Sequence, residues 1–277
     1  MIRLVALDVD GTLLDSHGRI PDANLEVLHA AATAGLHLVV VTGRSYPFAL
    51  PAVRELPEPL TVCVYNGAVA RVRGGDTLVR RTLPARVARD VLVHTRAWRA
   101  ATTVQFDREE AQTLFDQLSW DHPNRRGYYA KVRHHCAQVA DLEAAMEQDD
   151  PVQVAFNGST AEMRALYDQL AAHRGLGDLS VSATHYPRRD FSLVDVNAAG
   201  ATKGGALAAV AARLGIARDE VFAIGDNHND IDMLQWAGTG VVMGNAEPEL
   251  LSLGLPIAPS NDEAGLARAL AEFVLKG

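Results

Sequence analysis

Apolar runs alternate with helix-like segments at both ends of this chain, and a differently patterned stretch separates these two regions. The apolar runs at residues 2–7 and 36–41 alternate with segments of helical periodicity, and the alternation returns after Lys203. Such alternation predicts a parallel sheet built from right-handed βαβ units, which is an α/β fold. We therefore expect one core domain formed by residues 1–83 and 191–277 together.

The intervening residues, 84–190, have a mixed pattern that predicts a separate α+β domain with helices on one face of a sheet. The expected helices cover 86–98, 139–147 and 161–173, and the expected strands lie near 102–106, 128–132, 152–156 and 179–183. A further strand is expected near 191–196, just after this region. Just before this region, Gly74-Gly75 lies between two alternating runs and predicts a hairpin at the edge of the core domain.

Two carboxylates leave the end of the first predicted strand, in the segment Asp8-Val9-Asp10-Gly11-Thr12. Ligands of open α/β sheets usually bind at the carboxyl ends of the strands. An aspartate in the position of Asp8 can attack phosphorus and carry the phosphoryl group. Asp10 is then near enough to donate a proton to the leaving group and later to accept one from water. Alternatively, the two residues cap the start of a helix.

The next predicted strand, 36–41, is followed by Thr42-Gly43-Arg44. A hydroxyl at this place can hydrogen-bond a phosphate oxygen without adding charge, and Gly43 lets a backbone N–H approach the same oxygen. We expect Arg44 at the edge of the phosphate site or on the leaving group. Alternatively, Thr42 caps the helix that follows it.

Lys203 begins a helix-like segment, where a cation is unfavourable unless an anion lies beside it. Its predicted role is to hold the nucleophile and neutralise phosphate oxygens, although a single lysine is usually a surface residue.

Acidic residues also follow the strand-like run 221–224, in the segment Gly225-Asp226-Asn227-His228-Asn229-Asp230. Clustered carboxylates repel one another unless a cation is present, and hard oxygen ligands beside a phosphate ester favour Mg²⁺. We predict Asp226 as a direct ligand, together with Asp8 and the backbone carbonyl of Asp10. Asp230 is expected to orient water or the lysine ammonium, and Asn229 to contact the phosphate.

In their order along the chain, these four segments resemble the motifs of the haloacid dehalogenase (HAD) superfamily. The long interval between the second and third motifs resembles the Cof-type hydrolases (subfamily IIB), which carry an inserted cap domain there. The segments at 65–68, 243–246 and 261–266 are similar to further parts of that family. The sequence departs from the family at His228, where an acidic residue is more common, and at Asp195, where glutamate is preferred.

This resemblance implies a Rossmann-like core with an inserted α+β cap, and a Mg²⁺-dependent phosphatase that forms an aspartyl-phosphate. The implied substrates are small phosphorylated metabolites, mostly sugar phosphates, and residues 120–129 and 185–190 are candidates for recognising the leaving group. Two alternatives stay open: a phosphosugar mutase, and a non-catalytic protein that binds phosphorylated metabolites for regulation.

Composition agrees with a two-domain enzyme, since the chain has 277 residues of which 48% are hydrophobic. Its formal charge of −8 gives no electrostatic reason to expect nucleic acid or an anionic membrane as a partner. The two cysteines imply no disulfide framework. We expect a cytoplasmic location, because no signal peptide or apolar run of membrane length is found.

Overall fold

The computed structural model describes residues 1–121, 123–130, 133–146, 149–173, 179–186 and 189–275. The chain divides into two compact units. The first consists of Met1–Arg80 together with Thr202–Gly277, and the second of Arg81–Ala201. The second unit is therefore inserted in the sequence of the first.

The elements of both units are numbered here in chain order. The strands are β1 (Leu4–Leu7), β2 (His37–Val41), β3 (Leu60–Val64), β4 (Val69–Val72), β5 (Thr77–Arg80), β6 (Thr102–Gln105), β7 (Thr113–Phe115), β8 (Cys136–Gln138), β9 (Gln153–Gly158), β10 (Leu179–Tyr186), β11 (Phe191–Ala198), β12 (Val221–Gly225) and β13 (Thr239–Val242). The α-helices are α1 (Asp22–Thr33), α2 (Tyr46–Val53), α3 (Ala85–His94), α4 (Pro123–Ala130), α5 (Leu142–Ala145), α6 (Thr160–Ala172), α7 (Lys203–Arg213), α8 (Ile231–Trp236), α9 (Pro248–Leu251) and α10 (Gly265–Phe273).

The first unit contains a seven-stranded sheet in the order β13-β12-β1-β2-β3-β4-β5. The strands from β13 to β3 are parallel, whereas β4 and β5 form an antiparallel hairpin, so both the parallel α/β core and the hairpin are confirmed. From β1 the chain proceeds to β2 and β3 on one side, and it later returns to β12 on the other side of β1. The order of strands thus reverses between β1 and β12, which is where open α/β sheets bind ligands.

The central strands of this sheet are covered on both faces. Every residue of β1 and of β12 is buried, which agrees with their almost continuous apolar sequences. Helix α7 buries a face of small and aliphatic residues against the same core, among them Ala206, Leu207 and Val210. This rigid sheet fixes the positions of the side chains at the strand ends.

The second unit contains a six-stranded sheet in the order β10-β11-β9-β6-β7-β8. Neighbouring strands of this sheet are antiparallel, except β7 and β8, which are parallel. The hydrophobic core of the second unit includes Phe106, Phe156 and Leu166. The expected boundary at residue 191 was placed too early in the chain. Strand β11 pairs with β10 and β9, so residues 191–198 belong to the second sheet and the first unit resumes at Thr202.

The strand expected over 128–132 is wrong for its first three residues, which lie in helix α4, while residues 131 and 132 lie outside the described residues. Tertiary contacts explain the difference. Arg125 donates from Nε to Asn157 Oδ1 at 2.7 Å, and Asn157 Nδ2 donates to the hydroxyl of buried Tyr129 at 2.7 Å. These contacts fasten α4 to β9 and override the β propensity of its aromatic residues. Helix α5 is shorter than expected, and residue 147 is likewise outside the described residues.

Candidate active site

The ammonium group of Lys203 connects two strand ends. Asp8 directly follows β1 and Lys203 is the first residue of α7. The Lys203 Nζ lies 2.6 Å from Asp8 Oδ1 and 2.6 Å from Asp230 Oδ1, and all three side chains are buried. Burial opposes the charged form of Lys203, but Asp230 and Asp8 outweigh it and raise the pKa of the ammonium above its ordinary value. The lysine is therefore a fixed cation between two carboxylates.

Asp226 follows β12, the neighbour of β1, and is held by the turn after Asp8. The Thr12 hydroxyl donates to Asp226 Oδ1 at 3.1 Å. Gly11 has a φ of +89°, and a Cβ at that position would overlap the Asp226 carboxylate. Gly11 therefore provides both the left-handed backbone and the space that this close approach requires.

Asp230 organises the loop after β12. Its Oδ2 accepts the backbone N–H groups of Asp226 and Asn227, at 3.1 and 2.9 Å, while its Oδ1 accepts from Lys203. Its side chain has no exposed surface. Both carboxylate oxygens are thus engaged within the protein, and they fix the direction of the Asp226 backbone and of the lysine.

Three buried carboxylates, those of Asp8, Asp226 and Asp230, offer oxygen atoms that all lie within 4.8 Å of one another. Burial raises the pKa of Asp8 to about 7, with Asp230 and Asp10 adding to the shift and Lys203 opposing it. Burial followed by Asp8 and Asp230 raises the pKa of Asp226 well above its ordinary value. One lysine does not compensate three buried carboxylates, and hard oxygen donors of this kind suit a divalent cation. The cluster could therefore hold a metal ion.

Arg44 makes a contact that the sequence did not predict. Its Nε lies 2.8 Å from Asp10 Oδ2 and its Nη2 lies 2.5 Å from Asp10 Oδ1, which is a bidentate ion pair. The guanidinium also lies over the ring of Phe48, 4.5 Å from its centroid. Arg44 was expected at the phosphate or the leaving group, whereas the structure places it on the carboxylate expected to move protons.

The polar residues expected around the phosphate lie along the ends of β2 and β12. Thr42 is buried and its Oγ1 accepts the backbone N–H of Arg44 at 3.2 Å, so the hydroxyl proton points away from that nitrogen. Asn229 is also buried, in the 3₁₀ turn His228–Asp230. Its Nδ2 donates to Asn66 Oδ1 at 2.9 Å, and a Cβ on Gly43 would come within 3.1 Å of that same oxygen. Thr42, Gly43 and Asn229 are thus brought to one side of the site.

Sequence reasoning missed Thr12 and Asn245 as site residues. Asn245 Nδ2 donates to the backbone carbonyl of Gly11 at 2.9 Å and lies 3.5 Å from Asp226 Oδ2. Its Oδ1 accepts the backbone N–H of Asn261 at 2.9 Å. The available signal was position, since Thr12 follows the two carboxylates of the first strand end and Asn245 follows β13, the outermost parallel strand.

The two departures from the expected family pattern lie outside this cluster. His228 is partly buried, and its Nε2 lies 3.9 Å from Glu249 Oε2. Asp195 belongs to β11 of the second unit, where it accepts from Gln153 Nε2 at 2.8 Å.

The geometry indicates a class of enzyme: an α/β protein with a buried lysine and a cluster of buried carboxylates at the reversal of strand order, which is suited to phosphoryl chemistry. The sequence profile described as haloacid dehalogenase-like hydrolase matches residues 5–270. The chain therefore belongs to the haloacid dehalogenase-like hydrolase family, and it is a phosphatase of that family. The Cof-type resemblance is thereby confirmed.

Relatives with established names agree with this class. The HMP-PP phosphatase of Serratia proteamaculans is 32% identical over 254 residues, covering 91% of this chain and 88% of the relative. The 5-amino-6-(5-phospho-D-ribitylamino)uracil phosphatase YcsE of Bacillus subtilis is 27% identical, covering 99% and 96%. A HAD-superfamily phosphatase structure from Bacteroides thetaiotaomicron is 27% identical, with a TM-score of 0.81 over 99% of this chain and 95% of the other. The first two relatives are named as phosphatases of HMP-PP and of 5-amino-6-(5-phospho-D-ribitylamino)uracil, which are small phosphorylated metabolites.

Among the residues that the structure describes, no helix is both long enough and apolar enough to span a membrane.

Proposed function

We propose that this protein is a Mg²⁺-dependent phosphate monoester hydrolase that acts through an aspartyl-phosphate on Asp8. The observation that carries the proposal is a pair of buried ion pairs: Lys203 lies 2.6 Å from both Asp8 and Asp230. The carboxylate of Asp226 lies beside them. A lysine that touches the attacking carboxylate can also neutralise the equatorial oxygens of a phosphate bound there.

The residues proposed to hold Mg²⁺ are Asp8, Asp226 and the backbone carbonyl of Asp10. Bound Mg²⁺ would offset the repulsion between the carboxylates and the phosphate dianion. Asp230 is proposed to orient this set without binding the ion directly, which is supported by the engagement of both its oxygens with Lys203 and backbone N–H groups.

In the proposed first step, an oxygen of Asp8 forms a bond to phosphorus while the bond from phosphorus to the leaving oxygen breaks. Asp10 gives its proton to that oxygen, so the product leaves as an alcohol. In the second step Asp10 takes a proton from water, whose oxygen attacks the phosphorus and releases Asp8 and phosphate. Arg44 holds both carboxylate oxygens of Asp10, so this pair has to open before Asp10 can contact the leaving oxygen.

The proposed phosphate-binding groups are Thr42, Gly43, Arg44, Lys203 and Asn229. Their support is the placement of Thr42, Gly43 and Asn229 on one side of the site, and of Lys203 against Asp8. When the pair opens, Arg44 would leave Asp10 and bind the phosphate or the leaving group, because guanidinium forms bidentate pairs with both carboxylate and phosphate oxygens.

The proposed substrates are small phosphorylated metabolites, with sugar phosphates as the first candidates. Two relatives are named for other substrates, HMP-PP and a phosphoribitylamino-uracil. Phosphate esters that carry a pyrimidine should therefore be assayed together with the sugar phosphates. The second unit, Arg81–Ala201, is proposed as the cap domain that sets specificity. A cytoplasmic location completes the proposal.

The test is phosphate release from sugar phosphates, nucleotides and pyrimidine-bearing phosphate esters, with Mg²⁺ and with EDTA. Asp8→Asn tests the nucleophile, and Asp76→Asn, an exposed residue of the hairpin turn in the same unit, is the matched control. We expect Mg²⁺-dependent release by the wild type and the control, and loss of release in Asp8→Asn. Equal release by Asp8→Asn would refute the covalent route, and transfer of phosphate to a second sugar hydroxyl instead of water would indicate a mutase.

A further inference from the structure

A strained turn follows β3 in the first unit. Tyr65, Asn66 and Gly67 have φ values of 52°, 53° and 94°, so three successive residues occupy the left-handed region. Glycine adopts this region freely and asparagine tolerates it, but a bulky residue such as tyrosine does so at a cost. Strain of this kind persists where the surroundings enforce it, and it concentrates at functional sites.

The turn places Asn66 against two other parts of the site. Its backbone N–H donates to the carbonyl of Thr42 at 3.1 Å, and the N–H of Tyr65 donates to the carbonyl of Arg44 at 3.0 Å. Its side-chain Oδ1 accepts from Asn229 Nδ2 at 2.9 Å. Asn66 is 1% exposed. It therefore ties the end of β2 to the loop after β12 from inside the protein.

The amide of Asn229 is held in one orientation by this contact. Asn66 Oδ1 is an acceptor, so it requires the NH₂ end of Asn229 to point toward it. The other end, Asn229 Oδ1, is buried and has no hydrogen-bond partner among the residues that the structure describes. An unsatisfied buried carbonyl is unfavourable, so the orientation is imposed by Asn66 and not by the needs of Asn229 itself.

We propose that Asn66 is a positioning residue for the substrate phosphate: it fixes the Asn229 amide and the Thr42-Gly43 turn in the arrangement that receives a phosphate group. This inference rests on the proposed function of the site. Asn66 suits the task in two ways, since it tolerates the left-handed backbone and it offers a neutral acceptor. A carboxylate in its place would accept the same hydrogen bond but would repel a phosphate dianion.

Asn66→Gly is the main test, because glycine keeps the left-handed turn and removes only the side chain. Ala111→Gly is the matched control, since Ala111 has a φ of 46° in the second unit and its replacement relaxes the same kind of backbone. The probe is inorganic phosphate, measured as a competitive inhibitor and directly by calorimetry. We expect the phosphate inhibition constant and the KM of Asn66→Gly to rise about 3- to 10-fold, the loss of one hydrogen bond, with kcat changed less than about twofold.

Asn66→Asp keeps an acceptor for the Asn229 amide and tolerates the left-handed backbone. It is the second variant to measure if Asn66→Gly does not fold. We expect it to weaken phosphate binding more than Asn66→Gly does, because it adds a negative charge. In a double-mutant cycle, Asn66→Gly should add little to the effect of Asn229→Ala, since one residue acts through the other.

Three results would overturn the inference: phosphate constants of both Asn66 variants within about twofold of the wild type, purely additive effects in the cycle, or a fall in kcat without a change in KM. A purely structural role would lower the melting temperature and leave these constants unchanged. Failure of the proposed function is a different observation, namely that the wild type releases no phosphate from any ester, and calorimetry with phosphate still tests Asn66 in that case.

Discussion

Without divalent cations, the free energy of unfolding should fall as pH rises from about 4 to about 7, and the buried carboxylate of Asp8 is one cause. Burial raises the pKa of Asp8 from 3.8 to about 7. Between these two values the folded protein holds a proton that the unfolded chain releases, so the contribution of Asp8 is fully present below pH 3.8 and is lost as pH rises through about 7. Three pKa units correspond to about 4 kcal/mol, or about 1.4 kcal/mol per pH unit.

The assay is urea unfolding in EDTA at several values between pH 4 and pH 8, for the wild type and for Asp8→Asn. Asparagine keeps the size of the side chain and has no proton to lose, so the stability of the wild type relative to the variant should fall by about 4 kcal/mol across this range. Mg²⁺ should restore stability at pH 8 more than at pH 5, because protons compete with the cation for Asp8. Parallel pH profiles for the two proteins would refute the argument that burial controls this carboxylate.

Three further substitutions test contacts in the first unit. Arg44→Lys loses the bidentate pair with Asp10, so kcat/KM should fall about 10- to 100-fold in steady-state kinetics, and wild-type values would show that a point charge suffices. Gly67→Ala forces a Cβ into the carbonyl of Thr202 at a φ of +94°, so urea unfolding should show a loss of at least about 3 kcal/mol. Gly18→Ala, where nothing lies within 4 Å, is its control and should cost about 1 kcal/mol. Asp230→Asn breaks a buried ion pair with Lys203 and should cost about 3–5 kcal/mol together with most of the activity, whereas unchanged stability would contradict the assigned role of the pair.

Much of the core unit could be predicted because its information is local. Parallel strands covered on both faces need almost continuous apolar runs, and residues 4–7 and 221–224 provide them. Since the carboxyl ends of such strands share one edge of the sheet, polar residues that follow them meet there, and the structure brings Asp8 and Asp226 together accordingly. Lys203, singled out by its place at a helix start, contacts Asp8 at the same edge. Their chemical roles remain part of the proposed function.

The second unit was harder to predict because its assignments depend on distant partners. The sequence of β11 shows a strand but does not show which sheet it joins, and only its pairing with β9 and β10 places it in the second unit. The aromatic residues of α4 favour a strand locally, yet the buried contacts of Arg125 and Tyr129 with Asn157 select a helix. In both cases the deciding free energy comes from residues far along the chain.

The same limit applies inside the site, where strand-end position says which residues meet but not how their side chains pair. Arg44 could have pointed to phosphate, to a leaving group or to Asp10, and the structure shows it paired with Asp10 while its guanidinium lies over the Phe48 ring. Asn66 gave even less signal, because its importance lies in a left-handed backbone and a contact with Asn229 across 163 positions of sequence. The carboxylate proposed as nucleophile can be found from its position after a strand, whereas a neutral amide that orients another amide is recognised only when both ends of the hydrogen bond have been placed in three dimensions.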